Sequence, residues 1–136
     1  MPRPIPQSDP LSKPFWDACN ERQLMVQYCT YCDRRQFPPE PACRDCGWAY
    51  HLTWLPTSGR GHIQDYSITY DSRIMAWQPE QPFNSVVIEL EEDSAIQFFS
   101  TLPGVPVDAV PVGAKVAVEF IEVEPGQLIP EWRIVS

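Results

Sequence analysis

With 43% apolar and 12% aromatic residues in 136, the chain has the composition of a packed globular protein, which excludes general disorder. Its net charge of −8 argues against nucleic acid as a ligand, because that affinity comes mostly from Lys and Arg neutralising phosphates. Sixteen prolines, against a usual share of ~5%, exclude long helices and imply turns, extended connections and strand edges.

Residues 1–10 are proline-rich and polar and read as an extended lead-in. Leu11 to Arg22 reads as a short helix. Ser12 can cap it, Pro14 suits its first turn, and Phe15, Ala18, Cys19 and Arg22 share a face, with Phe15 and Trp16 as docking anchors. Gln23–Tyr28 alternates as a strand that leads to Cys29. After Trp54 the punctuation changes: Pro56, Gly59 and Gly61 mark a turn. Strands of period two follow at His62–Tyr70, Ser85–Leu90, Ile96–Thr101, Lys115–Val123 and Leu128–Val135, enough for a small closed barrel. Pro130 places the last strand at an edge or gives it a bulge. The long loop 71–84 carries Ile74, Met75, Trp77 and Phe83, a candidate partner-binding surface. The expected domains are an N-terminal segment and helix (1–22), a metal-held ribbon (23–56) and a β-domain (57–136).

Charge divides the chain unevenly. Residues 74–136 hold only Lys115 and Arg133 against ten carboxylates. No apolar run approaches the ~20 residues of a membrane span, and the N-terminus lacks the apolar stretch of a signal peptide. The expectation is a soluble, cytoplasmic protein. Five cysteines, an odd number, suit a reducing compartment better than a disulfide framework.

Cys29-Thr-Tyr-Cys32 and Cys43-Arg-Asp-Cys46 are two Cys-x-x-Cys turns separated by ten residues. Such turns facing each other supply the tetrahedral four-thiolate shell that zinc favours. Two disulfides, four free thiols and an iron–sulfur cluster are the alternatives. Gly47 tolerates the positive φ of a knuckle turn, and Asp33 takes the matching place after Cys32. Arg34, Arg35 and Arg44 are expected to offset the thiolate charge. A saturated four-cysteine site leaves no open position for water or substrate, so one structural zinc per chain is expected. Cys19 reads either as a nucleophile or as a buried apolar thiol.

No catalytic constellation is evident. His62 at a strand start could serve as an acid or base, or simply stand at a barrel mouth. Glu89, Glu91, Glu92 and Asp93 could be a carboxylate set or a solvated hairpin tip. Gly59-Arg60-Gly61 is too short for a phosphate loop. A subunit acting with a partner fits this absence.

Lys13-Pro14-Phe15-Trp16, the strand Leu24–Tyr28 leading into Cys29-x-x-Cys32, Gln36-Phe37-Pro38-Pro39 and Cys43-x-x-Cys46-Gly47 together resemble the acyl-CoA-associated zinc-ribbon/OB-fold family. Ser58-Gly59-Arg60-Gly61 and Val112-Gly113-Ala114-Lys115-Val116 match its strand starts. The resemblance implies a mainly β fold with an N-terminal helix, a rubredoxin-like zinc ribbon and a C-terminal five-stranded OB-fold barrel. It also implies a heteromer with a thiolase-like protein or a hotdog-fold enoyl-CoA hydratase, with acyl-CoA at or near the interface. Ser67–Tyr70, Asp71-Ser72-Arg73 and Pro130-Glu131-Trp132-Arg133 look most like the small subunits of steroid side-chain aldolases, in which a thiolase-like partner cleaves a β-hydroxyacyl-CoA. The resemblance transfers the four cysteines and no catalytic residue. Two readings compete with this one: an OB-fold module binding acyl-CoA or single-stranded nucleic acid, and an independent enzyme using His62 or the Glu89–Asp93 cluster.

Overall fold

A computed structural model describes residues 9–70, 73, 82–102 and 105–135. The helix α1 spans Lys13–Asn20, shorter at both ends than its apolar pattern suggests. Ser12 takes the capping position but makes no side-chain cap; its hydroxyl and its N–H both donate to Asp9 Oδ1, at 2.9 and 2.7 Å. These bonds from Ser12 hold the Asp9 carboxyl below its usual range. At the other end Arg22 has φ of 60°, which breaks the helical path. Phe15, Ala18 and Cys19 face inward as their spacing predicts, whereas Arg22 is exposed. Burial pushes the Cys19 thiol up to about 12. It is a protonated core residue and not a nucleophile.

Among the described residues eight strands follow: β1 (Met25–Cys29), β2 (Arg34–Gln36), β3 (Leu52–Pro56), β4 (Arg60–Thr69), β5 (Phe83–Leu90), β6 (Asp93–Ser100), β7 (Lys115–Glu124) and β8 (Gln127–Ile134). They form an antiparallel three-stranded sheet, ordered β2-β1-β3, and an antiparallel five-stranded sheet, ordered β6-β5-β4-β7-β8. The central strand β4 pairs with β5 along its length but with β7 only over Arg60–His62. A register shift between Ile63 and Asp65 accompanies this change of partner. Bulges of this kind bend a strand and increase its twist, which curls the sheet. Gly61 sits at the crossing: a Cβ there would meet the Glu89 carbonyl oxygen at 2.3 Å.

The five strands form a curled half-barrel of OB type, the OB architecture expected. Among the described residues no pairing joins the outer strands β6 and β8. Pro130 lies on β8, an edge strand, as a missing N–H requires. Aromatic side chains occupy the opening instead. Phe15 of α1 packs on Phe37 beyond β2 at 5.3 Å between ring centroids. Phe37 packs on Phe98 of β6 at 4.6 Å, and Phe98 on Trp132 of β8 at 5.7 Å. Asn20 Oδ1 accepts from the Leu128 N–H at 2.7 Å, tying the end of α1 to β8. The buried core therefore runs from Phe15, Cys19, Leu24 and Val26 into Ile63, Val86, Ile88, Leu90, Ile96 and Val116 without a break.

Phe83 is buried at the start of β5, so the strand begins before the predicted Ser85 and this side chain is withdrawn from the expected docking surface. Ile74, Met75 and Trp77 lie outside the described residues.

Phe37→Ala removes two ring contacts from the barrel opening. It is expected to cost on the order of 2–4 kcal/mol, read as a lowered denaturant midpoint with little change in its slope. Gly61→Ala forces β4 and β5 apart and is expected to cost about 1–3 kcal/mol by the same measurement. A neutral Gly61→Ala would show that the β4–β5 crossing is not constrained there.

Candidate metal centre

Cys29 closes β1, and the Asp33 N–H donates to its carbonyl oxygen at 2.8 Å, which makes a tight turn. Asp33 takes φ of 55° in that turn, and Gly47 takes 77° in the second, where its N–H donates to the Cys43 carbonyl at 2.9 Å. The glycine adopts this backbone without cost. Asp33 does so with the Tyr28 hydroxyl donating to its carboxylate. In each turn a backbone N–H points at sulfur: Cys32 N–H at Cys29 Sγ, 3.5 Å, and Asp45 N–H at Cys43 Sγ, 3.4 Å.

The four sulfurs lie within 4.8 Å of one another, with Cys29–Cys46 at 3.8 Å and Cys32–Cys43 at 3.9 Å. A tetrahedral zinc–thiolate site with bonds near 2.3 Å has sulfur–sulfur edges of about 3.8 Å. Disulfides require about 2.05 Å, and all five cysteines are free. The four cysteines therefore form a cage suited to one metal ion. Backbone N–H groups of Cys46 and Asp45 hold the Cys43 thiol down at about 7, whereas burial and then the neighbouring thiols push Cys32 up to about 12. Four thiolates at this spacing repel one another, and a divalent cation resolves the conflict by taking all four as ligands.

The linker between the turns is held by two buried glutamines facing each other across β1 and β2. Gln36 Nε2 donates to Gln27 Oε1 at 2.8 Å and to the Ala42 carbonyl at 3.2 Å. Gln27 Oε1 also accepts from the Glu40 N–H at 2.8 Å, and Gln36 Oε1 from the Arg44 N–H at 3.0 Å. Residues 40–44 are thus fixed by side-chain amides, which delivers Cys43 to the cage. Sequence reasoning passed over both glutamines, since alternation assigned Gln27 to an outer face.

The arginines take a different role from the one expected. Arg34 pairs with Asp45 at 3.2 Å, Arg44 with Glu40 at 3.1 Å and Arg35 with Asp93 at 3.6 Å, so carboxylates rather than sulfurs neutralise them. Arg35–Asp93 joins the ribbon to the β5–β6 hairpin. Glu92 in the same hairpin accepts from the Ser58 N–H at 2.7 Å and hydroxyl at 2.8 Å. Burial opposes the charge on Glu92, but the Ser58 bonds prevail and hold its carboxyl below the usual range. The acidic hairpin is a clasp between the two sheets and not a merely solvated tip. His62 Nε2 stands 4.0 Å from Glu89 Oε2, and His62 lies opposite Lys115 on β7.

Beside the cage the rings of Tyr31, Trp48 and His51 lie nearly parallel, with centroids 5.5–6.0 Å apart. Tyr31 is 70% and Trp48 56% exposed.

Residues 16–49 match the model of the ChsH2 rubredoxin-like zinc ribbon domain, and residues 54–120 that of the ChsH2 C-terminal OB-fold domain. A probable enoyl-CoA hydratase alpha subunit of Thermomonospora curvata is 27% identical over 133 residues; these are 97% of this chain but only 39% of that protein. Among solved structures, the Ltp2-ChsH2(DUF35) aldolase superposes with a TM-score of 0.80 at 24% identity, covering 95% of this chain and 98% of the other. A DUF35-family protein of unknown function from Sulfolobus solfataricus superposes with a TM-score of 0.61 at 14% identity, covering 94% and 87%. With both domain models matched in order and the four cysteines gathered where the ribbon places them, the chain belongs to the ChsH2 zinc-ribbon/OB-fold family.

Proposed function

We propose that this chain is a non-catalytic subunit of an acyl-CoA-processing complex, held together by one structural zinc ion bound to Cys29, Cys32, Cys43 and Cys46. The observation that carries the reading is the closed cage: four sulfurs fill a tetrahedral shell and leave no position for substrate. The zinc contributes to folding, and the chemistry belongs to a partner.

The favoured partner is a thiolase-like protein, and the favoured reaction is retro-aldol cleavage of a β-hydroxyacyl-CoA, as in steroid side-chain degradation. The superposition on an Ltp2-ChsH2 aldolase supports it. Such cleavage needs a base for the β-hydroxyl and an oxyanion site for the thioester enolate, both assigned here to the partner. This chain orders that site from a docking surface. Loop 71–84, with Ile74, Met75 and Trp77, is one proposed part of it. The exposed Tyr31–Trp48–His51 stack is another, because large rings left in water mark interaction sites. A hydratase partner is the second reading, favoured by the name of the Thermomonospora relative.

Metal analysis is expected to give one zinc per chain. Serine at any of the four cage positions is expected to lose both zinc and soluble protein, and Cys19→Ser to retain both. Gln36→Leu keeps every ligand but frees the linker, so its zinc affinity in chelator competition should fall about 10- to 100-fold. Two zincs per chain, or an unaltered Gln36→Leu, would contradict this account.

Co-expression with the thiolase-like partner is expected to raise the soluble yield, and Trp77→Glu to weaken assembly while zinc stays bound. Cleavage of a β-hydroxyacyl-CoA should require both chains, and His62→Ala should leave most of the activity. Full activity of the isolated zinc-loaded chain would overturn the accessory role. Recovery of a hydratase as the partner would replace the aldolase assignment.

A further inference from the structure

The described residues include nine of the ten lysines and arginines. Five of these pair with a carboxylate of the same chain at 2.6–3.6 Å. The other four, Arg22, Arg60, Arg73 and Lys115, form no such pair among the described residues, and of these Arg60 and Lys115 line one open cleft of about 520 Å³. In a chain of net charge −8, an exposed cation has many carboxylates to choose from. Two unpaired cations in the same cleft are therefore notable.

Strand register places them. On β4, Gly61 and Ile63 point into the core while Arg60 and His62 point outward. His62 lies opposite Lys115 on β7 and opposite Glu89 on β5. Arg60, His62 and Lys115 therefore share the outer face of the sheet. Glu89 Oε2 stands 4.0 Å from His62 Nε2, and among the described residues no carboxylate comes within ion-pair distance of Arg60 or Lys115. Glu91 also lines the cleft, but its carboxylate comes within ion-pair distance of neither cation among the described residues. Gly61, Gly113, Val116 and Val135 supply the remaining lining, low and mostly apolar, so a ligand can reach both cations. The volume falls within the range of about 300–1,000 Å³ common for small-molecule sites.

We propose that this cleft binds a phosphate-bearing ligand, with the Arg60 guanidinium and the Lys115 ammonium as the phosphate contacts. A guanidinium grips a phosphate through two parallel N–H donors and an ammonium acts as a point charge; a pyrophosphate or phosphate ester can engage both. Coenzyme A as the source of the phosphate rests on the function proposed above, whereas phosphate recognition itself does not.

The test is ¹⁵N-resolved NMR titration of the full zinc-loaded chain with coenzyme A, inorganic pyrophosphate and phosphate-free pantetheine. Coenzyme A and pyrophosphate are expected to shift the Gly61, His62, Gly113 and Lys115 amides saturably, while pantetheine leaves them in place. Both side chains are exposed, so the double variant Arg60→Gln/Lys115→Gln should fold. It is expected to bind at least about tenfold more weakly. Arg133→Gln, which removes a cation already paired with Glu119, should bind as the parent does. Absent shifts with both phosphate compounds, equal shifts with pantetheine, or unchanged binding by the double variant would overturn the site. Pyrophosphate binding without coenzyme A binding would overturn the coenzyme assignment. No phosphate-ligand binding by the parent chain, with partner assembly intact, overturns the cleft alone, and binding here with no acyl-CoA enzyme as partner overturns the proposed function alone.

Discussion

The stack of rings from Phe15 through Phe37 and Phe98 to Trp132 determines how this molecule holds together. An OB sheet that leaves its outer strands unpaired exposes a row of backbone N–H and C=O groups beside an open core, a liability in water. Here the opening is filled from outside the sheet. Phe15 arrives on α1 and Phe37 on the segment after β2, while Phe98 and Trp132 stand on β6 and β8, the outer strands of the sheet among the described residues. Helix, ribbon and sheet consequently share one core. None of the three buries its apolar face without the others.

The ribbon attaches through polar contacts of equal specificity. Gln27 and Gln36 satisfy the backbone of residues 40–44, and the clasps Arg35–Asp93 and Ser58–Glu92 reach the β5–β6 hairpin. The exposed ion pairs contribute little energy singly, about 0–1 kcal/mol each. Their contribution lies in orientation. The buried amides matter more, because a glutamine left without partners in that position costs about 1–3 kcal/mol.

The cage was legible because Cys-x-x-Cys spacing is set by one turn and needs no knowledge of the fold. The barrel strands were legible from alternation, and β7 and β8 fall within about a residue of their predicted ends. Less legible were features that depend on distant partners. β2 is three residues, two of them arginines, and β3 is a short mixed run whose pairing with β1 is visible only in three dimensions. Ser12 resembles a cap locally, yet Asp9 claims its hydroxyl. Phe83 resembles a loop residue, yet register with Thr69 draws it into β5 and buries it.

These couplings change what a structural metal means for this chain. In a free-standing ribbon, loss of zinc melts the ribbon and nothing else. Here β1 carries Cys29 at one end and the fully buried Val26 three residues earlier, and Phe37 follows β2 directly. The cage thus anchors the same strands that supply the core of the half-barrel. A metal lost from the cage would therefore be expected to loosen the end of β1 and, through Phe37, the packing between β6 and β8. The four cysteines and the aromatic stack are thus joined through β1, β2 and Phe37, so a metal held in the cage would bear on the OB sheet without touching it.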